Sequence, residues 1–197
     1  AGFIEERLSG AGERLLHRFR DGQAAIEAHL DDYAFLAWGL LELYEATFEE
    51  RHLRWALELA DAMRAGFGDP EQGGFFFAAS GAEDLIVRKK ELQDAAVPSG
   101  NSVAALVLLR LARLTGRSEL EESASGVFQA LAGTVDRLPS AFTFLLSALD
   151  FAAGPTREVV IVGEREGDDT RAMVQLLGSR FLPDTVTLLR PADRGTP

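Results

Sequence analysis

The segment 88–114 constrains the fold more than any other part of this chain, because it joins a charged loop to the most apolar helix of the sequence. Between the two lies a Pro-Ser-Gly-Asn-Ser corner, in which Ser99 or Asn101 can accept hydrogen bonds from the first N–H groups of a helix. The helix is apolar nearly all round to about Thr115, which is typical of a helix buried on every side. The sequence therefore predicts a fold built around this helix, with polar side chains gathered at its N-terminus.

Helices with alternating degrees of burial are predicted on both sides of it. Segment 33–47 has a wide apolar face, whereas segment 51–67 carries one apolar stripe opposite a charged one. Segment 118–133 is again amphipathic, and segment 142–151 is again strongly apolar. This alternation indicates buried inner helices that are each followed by a half-buried outer helix.

Two β-hairpins are predicted ahead of the inner helices. The first lies within residues 14–30, where Asp21-Gly22 is a dipeptide favoured in tight hairpin turns and the following residues alternate with a period of two. The second runs from Phe75-Phe76-Phe77 through a Ser80-Gly81 turn to Leu85-Ile86-Val87. Hairpin, polar corner and helix pair then form one structural unit.

This unit occurs twice, and its copies align as an internal repeat. Segment 31–47 aligns with segment 99–115, so that Asp31-Asp32-Tyr33 falls on Ser99-Gly100-Asn101. Repeated antiparallel helix pairs are typical of layered α/α toroids and solenoids. We therefore expect a mainly α protein that forms part of an α/α toroid of antiparallel helical hairpins with short β-hairpins.

The last part of the chain has a different pattern. Residues 152–155 form an Ala-Ala-Gly-Pro linker, followed by a strand at 158–163, a helix at 168–179 and a strand at 185–189. This order predicts a small βαβ unit with a right-handed crossover. Its two turn glycines lack the spacing of a dinucleotide fingerprint. We expect residues 1–153 to form the later hairpins of the toroid and residues 154–197 a small α/β appendage.

Composition and charge argue against several classes of protein. The formal net charge of −11 disfavours an extended nucleic-acid groove, which needs a concentrated basic surface. With no cysteine and three scattered histidines, we expect neither a metal site nor a cofactor. No apolar run reaches the roughly 20 residues of a membrane span, and a cytoplasmic location is the default expectation. Because the chain starts without Met inside a helical pattern, we expect a fragment of a longer protein.

Three segments, taken in order, resemble one family. They read LLHRFRDGQAAIEAHLDDYAFLAWGLLELY at 15–44, GGFFF at 73–77 with LIVRKKELQDAAVPSGNS at 85–102, and EVVIVG at 158–163. In them the chain resembles the C-terminal half of the YyaL-like thioredoxin-domain-containing proteins and their spermatogenesis-associated relatives. The resemblance implies a thioredoxin-like domain outside this chain, fused to an α/α toroid similar to six-hairpin glycosidases and sugar 2-epimerases. The family usually has a glycine where Ala95 stands, and a positive φ there would strain an alanine.

The resemblance implies a pocket, since corner residues at the inner-helix N-termini of such a toroid converge on its central mouth. Glycoside hydrolysis needs one protonated and one ionised carboxyl group on either side of the sugar, and epimerisation needs a general acid and a general base. A sugar-like small molecule is the implied ligand. The expected catalytic residues are Asp31, Asp32, Glu91 and Asp94, and the expected substrate-binding residues are Tyr33, Arg88, Lys90, Ser99 and Asn101.

A second hypothesis is a non-catalytic binding or scaffold module that serves the fused thioredoxin-like domain. Asp32 and Ser99 are natural helix caps, and Asp31 can pair with a basic residue of the 88–90 cluster. His29 lies close to Asp31 in the sequence, but this pair lacks a third metal ligand. The two hypotheses differ in whether the four carboxylates face one cavity.

Overall fold

The computed structural model describes residues 1–9, 14–81 and 87–192, and these residues form a mainly helical fold with a few short strands. Within this part of the chain, no helix is both long and apolar enough to cross a membrane. The elements in chain order are α1 (Gly2–Arg7), β1 (Leu16–Arg20), β2 (Gln23–Glu27), α2 (Leu30–Thr47), α3 (Glu50–Phe67), α4 (Gly100–Thr115), α5 (Ser118–Val135), a 3-10 turn (Pro139–Ala141), α6 (Thr143–Ala153), β3 (Arg157–Val162), α7 (Asp168–Gly178) and β4 (Thr185–Arg190).

Helix α4 lies at the centre of the molecule, as its sequence predicts. Apart from Leu106, Arg113 and Thr115, every residue of α4 is buried. It packs against α2 on one side and α6 on the other, and the amphipathic helix α5 covers it. Helix α3 covers α2 in the same manner. The fold therefore has an inner layer of α2, α4 and α6 and an outer layer of α3 and α5.

The two aligned repeats end alike and begin differently. Thr47 and Thr115 each donate a side-chain hydrogen bond of 2.7 Å to the carbonyl four residues earlier. The residue that follows each threonine has a left-handed backbone conformation. At the other end, α2 begins at Leu30 with His29 as N-cap, whereas α4 begins after Ser99. The N-cap of α2 is therefore not one of the pair Asp31-Asp32, as the sequence suggests, but Asp32 still supports the helix start as the third helix residue, in a capping box with His29. Both aspartates lie in its first turn, where carboxylates stabilise the positive end of a helix.

The first predicted hairpin is confirmed. Strands β1 and β2 pair antiparallel with Arg20 opposite Gln23, so the loop consists of Asp21 and Gly22 alone. Both have positive φ, 52° and 79°, as a two-residue turn that matches the strand twist requires. The register also places His17 opposite Ile26, a β-branched residue with a φ of 69°.

The second predicted hairpin is described only in part: the backbone N–H of Phe77 donates to the carbonyl of Lys89, and no regular strand is assigned to its described residues. Phe75 makes a single antiparallel bridge to Gly68, and the backbone N–H of Phe76 donates to the carbonyl of Phe67. Leu85 and Ile86 of its predicted second strand lie outside the described residues. The backbone groups of Phe75 also bond to a side chain of α4, as described below.

The βαβ pattern of the last part of the chain is also found. Strands β3 and β4 run parallel with Arg157 opposite Thr185, and α7 connects them. Strand β4 lies against α4 and α2, and its Val186 is fully buried in the same apolar core as those helices. The strand pair is therefore packed on the inner layer through β4.

Gly73 and Gly81 allow a test of how closely the loop after α3 packs on α5. Both have positive φ, 72° and 78°, but a Cβ at Gly73 would overlap the backbone of Gly126 in α5, whereas a Cβ at Gly81 meets nothing within 4 Å. Each alanine substitution should cost about 1–2 kcal/mol of stability for the left-handed backbone. Gly73→Ala should cost about 1–3 kcal/mol more, because the two backbones must separate. Urea denaturation of both variants measures this difference, and equal losses would contradict the close approach.

Candidate functional site

The N-termini of α2, α4 and α6 meet at one polar corner of the molecule. Gly100 begins α4 so close to α2 that a Cβ there would overlap the Asp31 carboxylate and approach Leu30 within 3.1 Å. Asp94 joins α4 to α6, because its carboxylate accepts hydrogen bonds from the backbone N–H of Ser99 (2.9 Å) and of Phe144 (2.8 Å). The packing of these helices therefore brings together the two sequence corners that the repeat aligns.

Asp31 is the carboxylate of this corner with the most perturbed environment. Its side chain is half-buried, and its Oδ1 is fully buried and accepts no hydrogen bond. Burial raises the pKa of Asp31 above its ordinary value of 3.8, and the negative charges of Glu91 and Asp32 raise it further. The Gly100 backbone and His29 offset this only in part. Asp31 therefore keeps its proton to a higher pH than an ordinary aspartate does.

Glu91 is the acidic neighbour of Asp31, and it remains accessible to solvent. Its carboxylate forms an ion pair with Lys89 at 2.6 Å, and 44% of its side chain is exposed. Asp31 and Glu91 therefore have unlike surroundings: Asp31 is partly buried, whereas Glu91 is exposed to solvent and paired with a lysine.

Asp32 is held by three groups of the protein. Its Oδ2 accepts a hydrogen bond of 2.8 Å from the backbone N–H of His29, which stabilises the start of α2. The Nδ1 of His17 lies 2.9 Å from the same oxygen, and the Nδ1 of His29 lies 3.8 Å from it. Asp32 therefore faces the hairpin and its histidines.

The Asp94 carboxylate accepts its hydrogen bonds from backbone N–H groups. Besides its bonds to Ser99 and Phe144, its Oδ2 lies 3.3 Å from the N–H of Leu145, and its own N–H donates to Ala141. These contacts fix the start of α6 against the start of α4. The loop before α4 is free of the strain that its alanine suggested, since Ala95 is not among the residues with positive φ.

Arg88 and Lys90, expected to bind substrate, contact the loop after α3. Arg88 donates to the carbonyls of Ala78 and Gly66, and its guanidinium lies 4.1 Å from the centroid of the Phe76 ring. Lys90 forms an ion pair with Asp69 at 2.6 Å, which helps to lower the pKa of that carboxyl to about 2. Neither Arg88 nor Lys90 forms an ion pair with Asp31. The predicted ion pair between the two corners is therefore not made by these residues.

The other three expected substrate-binding residues are buried. The Tyr33 hydroxyl accepts a hydrogen bond of 3.0 Å from the N–H of Leu15, and the Ser99 hydroxyl caps α4 by accepting from the N–H of Ser102. Asn101 bonds to the backbone of the loop, as its fully buried amide pairs with both peptide groups of Phe75 and also donates to the Glu91 carbonyl. These contacts support a structural role for all three side chains.

Two cavities adjoin the inner helices. A groove of about 570 Å³ runs along α2 beside α1, with Asp31 and Asp32 at one end. Of the four expected catalytic carboxylates, Glu91 and Asp94 are not among its lining residues. Its other lining residues are apolar: Ala1, Ile4, Phe35, Leu36, Gly39, Leu40 and Leu43. A cavity of about 820 Å³ lies where α2 and α4 meet the βαβ unit. It contains Arg110, a buried cation that pairs with Glu42 and Glu45.

Sequence reasoning missed the role of His17 at this corner. The register fixed by the two-residue turn places His17 opposite Ile26, near the open end of the hairpin from which the chain continues into α2. The hairpin register, taken together with a helix that begins at Leu30, would have predicted that His17 lies near Asp32.

By its fold, the chain is a mainly helical protein whose inner helices begin at one shared polar corner. Over 165 residues, 83% of its length, it is 38% identical to spermatogenesis-associated protein 20 of Homo sapiens and equally to that of Mus musculus. It is also 30% identical over 161 residues to an uncharacterised protein of Caenorhabditis elegans. The chain spans about a fifth of the length of these curated relatives, 21% for the human protein.

These homologues fit the family that the sequence motifs resemble, and their names state no activity. No family model matches the chain.

Proposed function

We propose that this chain is the C-terminal part of a thioredoxin-fused α/α-toroid protein that acts on carbohydrate. The layering of α2, α4 and α6 inside α3 and α5 supports the toroid, with residues 1–153 as its later hairpins and residues 154–197 as an appendage. The similarity to relatives that are about four times as long as this chain supports a larger parent protein. The active site of the proposal is the corner where the inner helices begin.

The observation that carries the proposal is the environment of Asp31. It lies in a half-buried position, and its pKa is raised by burial and by the negative charge of Glu91, which is exposed to solvent. Two carboxyl groups in unlike surroundings are the arrangement used in acid–base chemistry on sugars. Asp31 is the proposed acid, and Glu91 is the proposed second carboxyl group.

Both carbohydrate reactions can use this pair. In glycoside hydrolysis, the protonated Asp31 would donate to the leaving oxygen while Glu91 activates water or stabilises positive charge on the sugar ring. In epimerisation, Glu91 would remove a carbon-bound proton and Asp31 would donate one. The groove beside Asp31 offers apolar surface, including the Phe35 ring, for the carbon face of a sugar.

Replacement of Asp31 by asparagine is expected to stabilise the protein at neutral pH. Because the folded-state pKa of Asp31 lies above its ordinary 3.8, the folded protein holds this proton more tightly than the unfolded chain. The charged carboxylate therefore costs stability at pH 7, and this cost disappears as the pH falls through the folded-state pKa to below 3.8. Chemical denaturation across this range should show Asp31→Asn more stable than wild type at pH 7, with the two converging in acid.

Asp150→Asn on the exposed face of α6 serves as the control and should leave the pH profile unchanged. An Asp31→Asn variant less stable than wild type at pH 7 would show that the carboxylate is a structural group, against its proposed role.

The activity itself is tested by a glycan-binding and hydrolysis screen on this chain and on its longer parent. Wild type should bind or convert at least one sugar, whereas Asp31→Asn and Glu91→Gln should lower turnover by about 100-fold or more. Glu71→Gln, in an exposed loop away from the corner, is the matched control. A sugar that is converted equally by all four proteins would remove Asp31 and Glu91 from the proposal.

The alternative is a non-catalytic binding or scaffold module for the thioredoxin-like domain. It is favoured by the structural contacts of Asp94, Ser99 and Asn101, which leave fewer free polar groups at the corner than the sequence suggests. A screen in which the longer protein converts no sugar, while the chain binds its own thioredoxin-like domain, would select this alternative.

A further inference from the structure

Two histidines and one aspartate converge beside the proposed carboxylate pair. His17 comes from β1, His29 is the N-cap of α2, and Asp32 lies in its first turn. One ligand atom from each lies within 4.8 Å of the other two. The sequence suggests only a pair of His29 and Asp31 with no third ligand, whereas the structure places His29 with Asp32 and brings His17 to them from the hairpin.

The spacing of these atoms is close to that of a bound metal ion. The Nδ1 atoms of His17 and His29 lie 2.9 Å and 3.8 Å from the same Asp32 oxygen. Ligand atoms of a tetrahedral zinc site lie about 3.3 Å apart, because each metal–ligand bond is about 2.0–2.2 Å long. Small side-chain rotations would therefore bring all three atoms onto one ion.

The surroundings fix two of the three ligands and leave the third accessible. Asp32 is oriented by its hydrogen bond from the His29 N–H, the kind of outer contact that holds metal-binding carboxylates in place. The His29 ring stacks on Phe77 with centroids 4.4 Å apart. His17 stands on the hairpin with 47% of its side chain exposed, which gives an ion a route into the site.

We propose that His17, His29 and Asp32 form a binding site for a first-row divalent transition-metal ion of the Zn²⁺ class. Two imidazoles and one carboxylate suit this class, whereas Mg²⁺ and Ca²⁺ prefer oxygen ligands. Three protein ligands leave a coordination position for water or a ligand oxygen, and Asp32 borders the apolar groove. The site stands on its own geometry and does not depend on the carbohydrate-acting role of Asp31 and Glu91.

The test is calorimetric titration of the untagged protein with ZnCl₂, together with the visible absorption spectrum of its Co²⁺ complex. Wild type should bind one ion per chain, and Co²⁺ should give the intense d–d band of a low-coordinate site. His17→Ala removes an exposed side chain, and His29→Phe keeps a ring against Phe77. Each should weaken Zn²⁺ binding by at least about 100-fold, beyond the 10–100-fold typical of outer contacts.

Arg18→Ala, the exposed neighbour of His17 on the same strand, is the matched control and should bind as wild type. Circular dichroism of every variant shows that the fold is kept. No saturable Zn²⁺ binding by wild type would overturn the proposal. Binding that survives either histidine substitution would also overturn it, because it would reveal an adventitious ion only.

Discussion

Replacing Asp94 with alanine is expected to lower the free energy of unfolding by about 4–5 kcal/mol, a large part of the stability of an ordinary domain. The carboxylate accepts hydrogen bonds from Ser99 and Phe144, with Leu145 at 3.3 Å, and so supports the N-termini of two inner helices. Hydrogen bonds to a charged group contribute about 1.5–3 kcal/mol each. The substitution leaves these N–H groups without an acceptor, and urea denaturation measures the loss.

Two further variants separate this effect from a general loss of charge. Asp94→Asn keeps one acceptor oxygen and should lose about half as much stability, because its amide nitrogen cannot accept from the second helix. Asp150→Ala on the exposed face of α6 should change stability by less than about 0.5 kcal/mol. Equal small effects for all three variants would contradict the bridging role of Asp94.

Asn101→Ala is expected to cost about 4 kcal/mol. The Asn101 amide is fully buried and makes three hydrogen bonds of 2.8–3.0 Å, two with the peptide groups of Phe75 and one with the carbonyl of Glu91. Each hydrogen bond between neutral groups contributes about 1 kcal/mol. The backbone groups of Phe75 and Glu91 that lose their partner add a desolvation cost, because the fold buries them. Thermal and urea denaturation should both show the loss.

Asn101→Asp tests the direction of these bonds at nearly constant shape. An ionised aspartate can still accept from Phe75 N–H, but it repels the Phe75 and Glu91 carbonyls to which asparagine donates. It should therefore be at least as destabilising as alanine at pH 7. Gln93→Ala, exposed in the same loop, is the control. A stable Asn101→Asp variant would show that the amide does not pair with the loop.

Together these two results bear on the function of the corner. Asp94 and Asn101 were expected to contact substrate, and their contacts predict that they matter through the fold. Asp31 is expected to behave in the opposite way, since its removal should raise stability while lowering activity. This difference in sign between Asp94 and Asp31 distinguishes a positioning group from a catalytic one.

The sequence predicts the helices well, because their signals are local. Apolar periodicity identifies α2 to α6 within a few residues of their observed bounds, and the Asp21-Gly22 turn predicts the first hairpin. The second hairpin cannot be compared in the same way, because Leu85 and Ile86 lie outside the described residues. What its local pattern does not contain is the long-range partner of Phe75, the side chain of Asn101 in α4, 26 residues further along.

The sequence predicts which residues belong to the candidate site, but it does not predict their contacts. The repeat and the helix corners indicate which polar side chains lie near one another, since inner-helix N-termini share one end of a layered fold. They do not indicate what each side chain bonds to. Arg88 and Lys90 contact the loop after α3 rather than Asp31, and Ser99 and Asp94 are occupied by backbone N–H groups.

By itself, the sequence determined the central buried helix α4, its Ser99 cap, the helix pairs and the βαβ pattern, because periodicity and capping depend on neighbours along the chain. The tertiary structure decided which carboxylate is perturbed and where the histidines converge. Burial of Asp31 and the approach of His17 to Asp32 arise from packing between separate elements, and no local pattern encodes that distance.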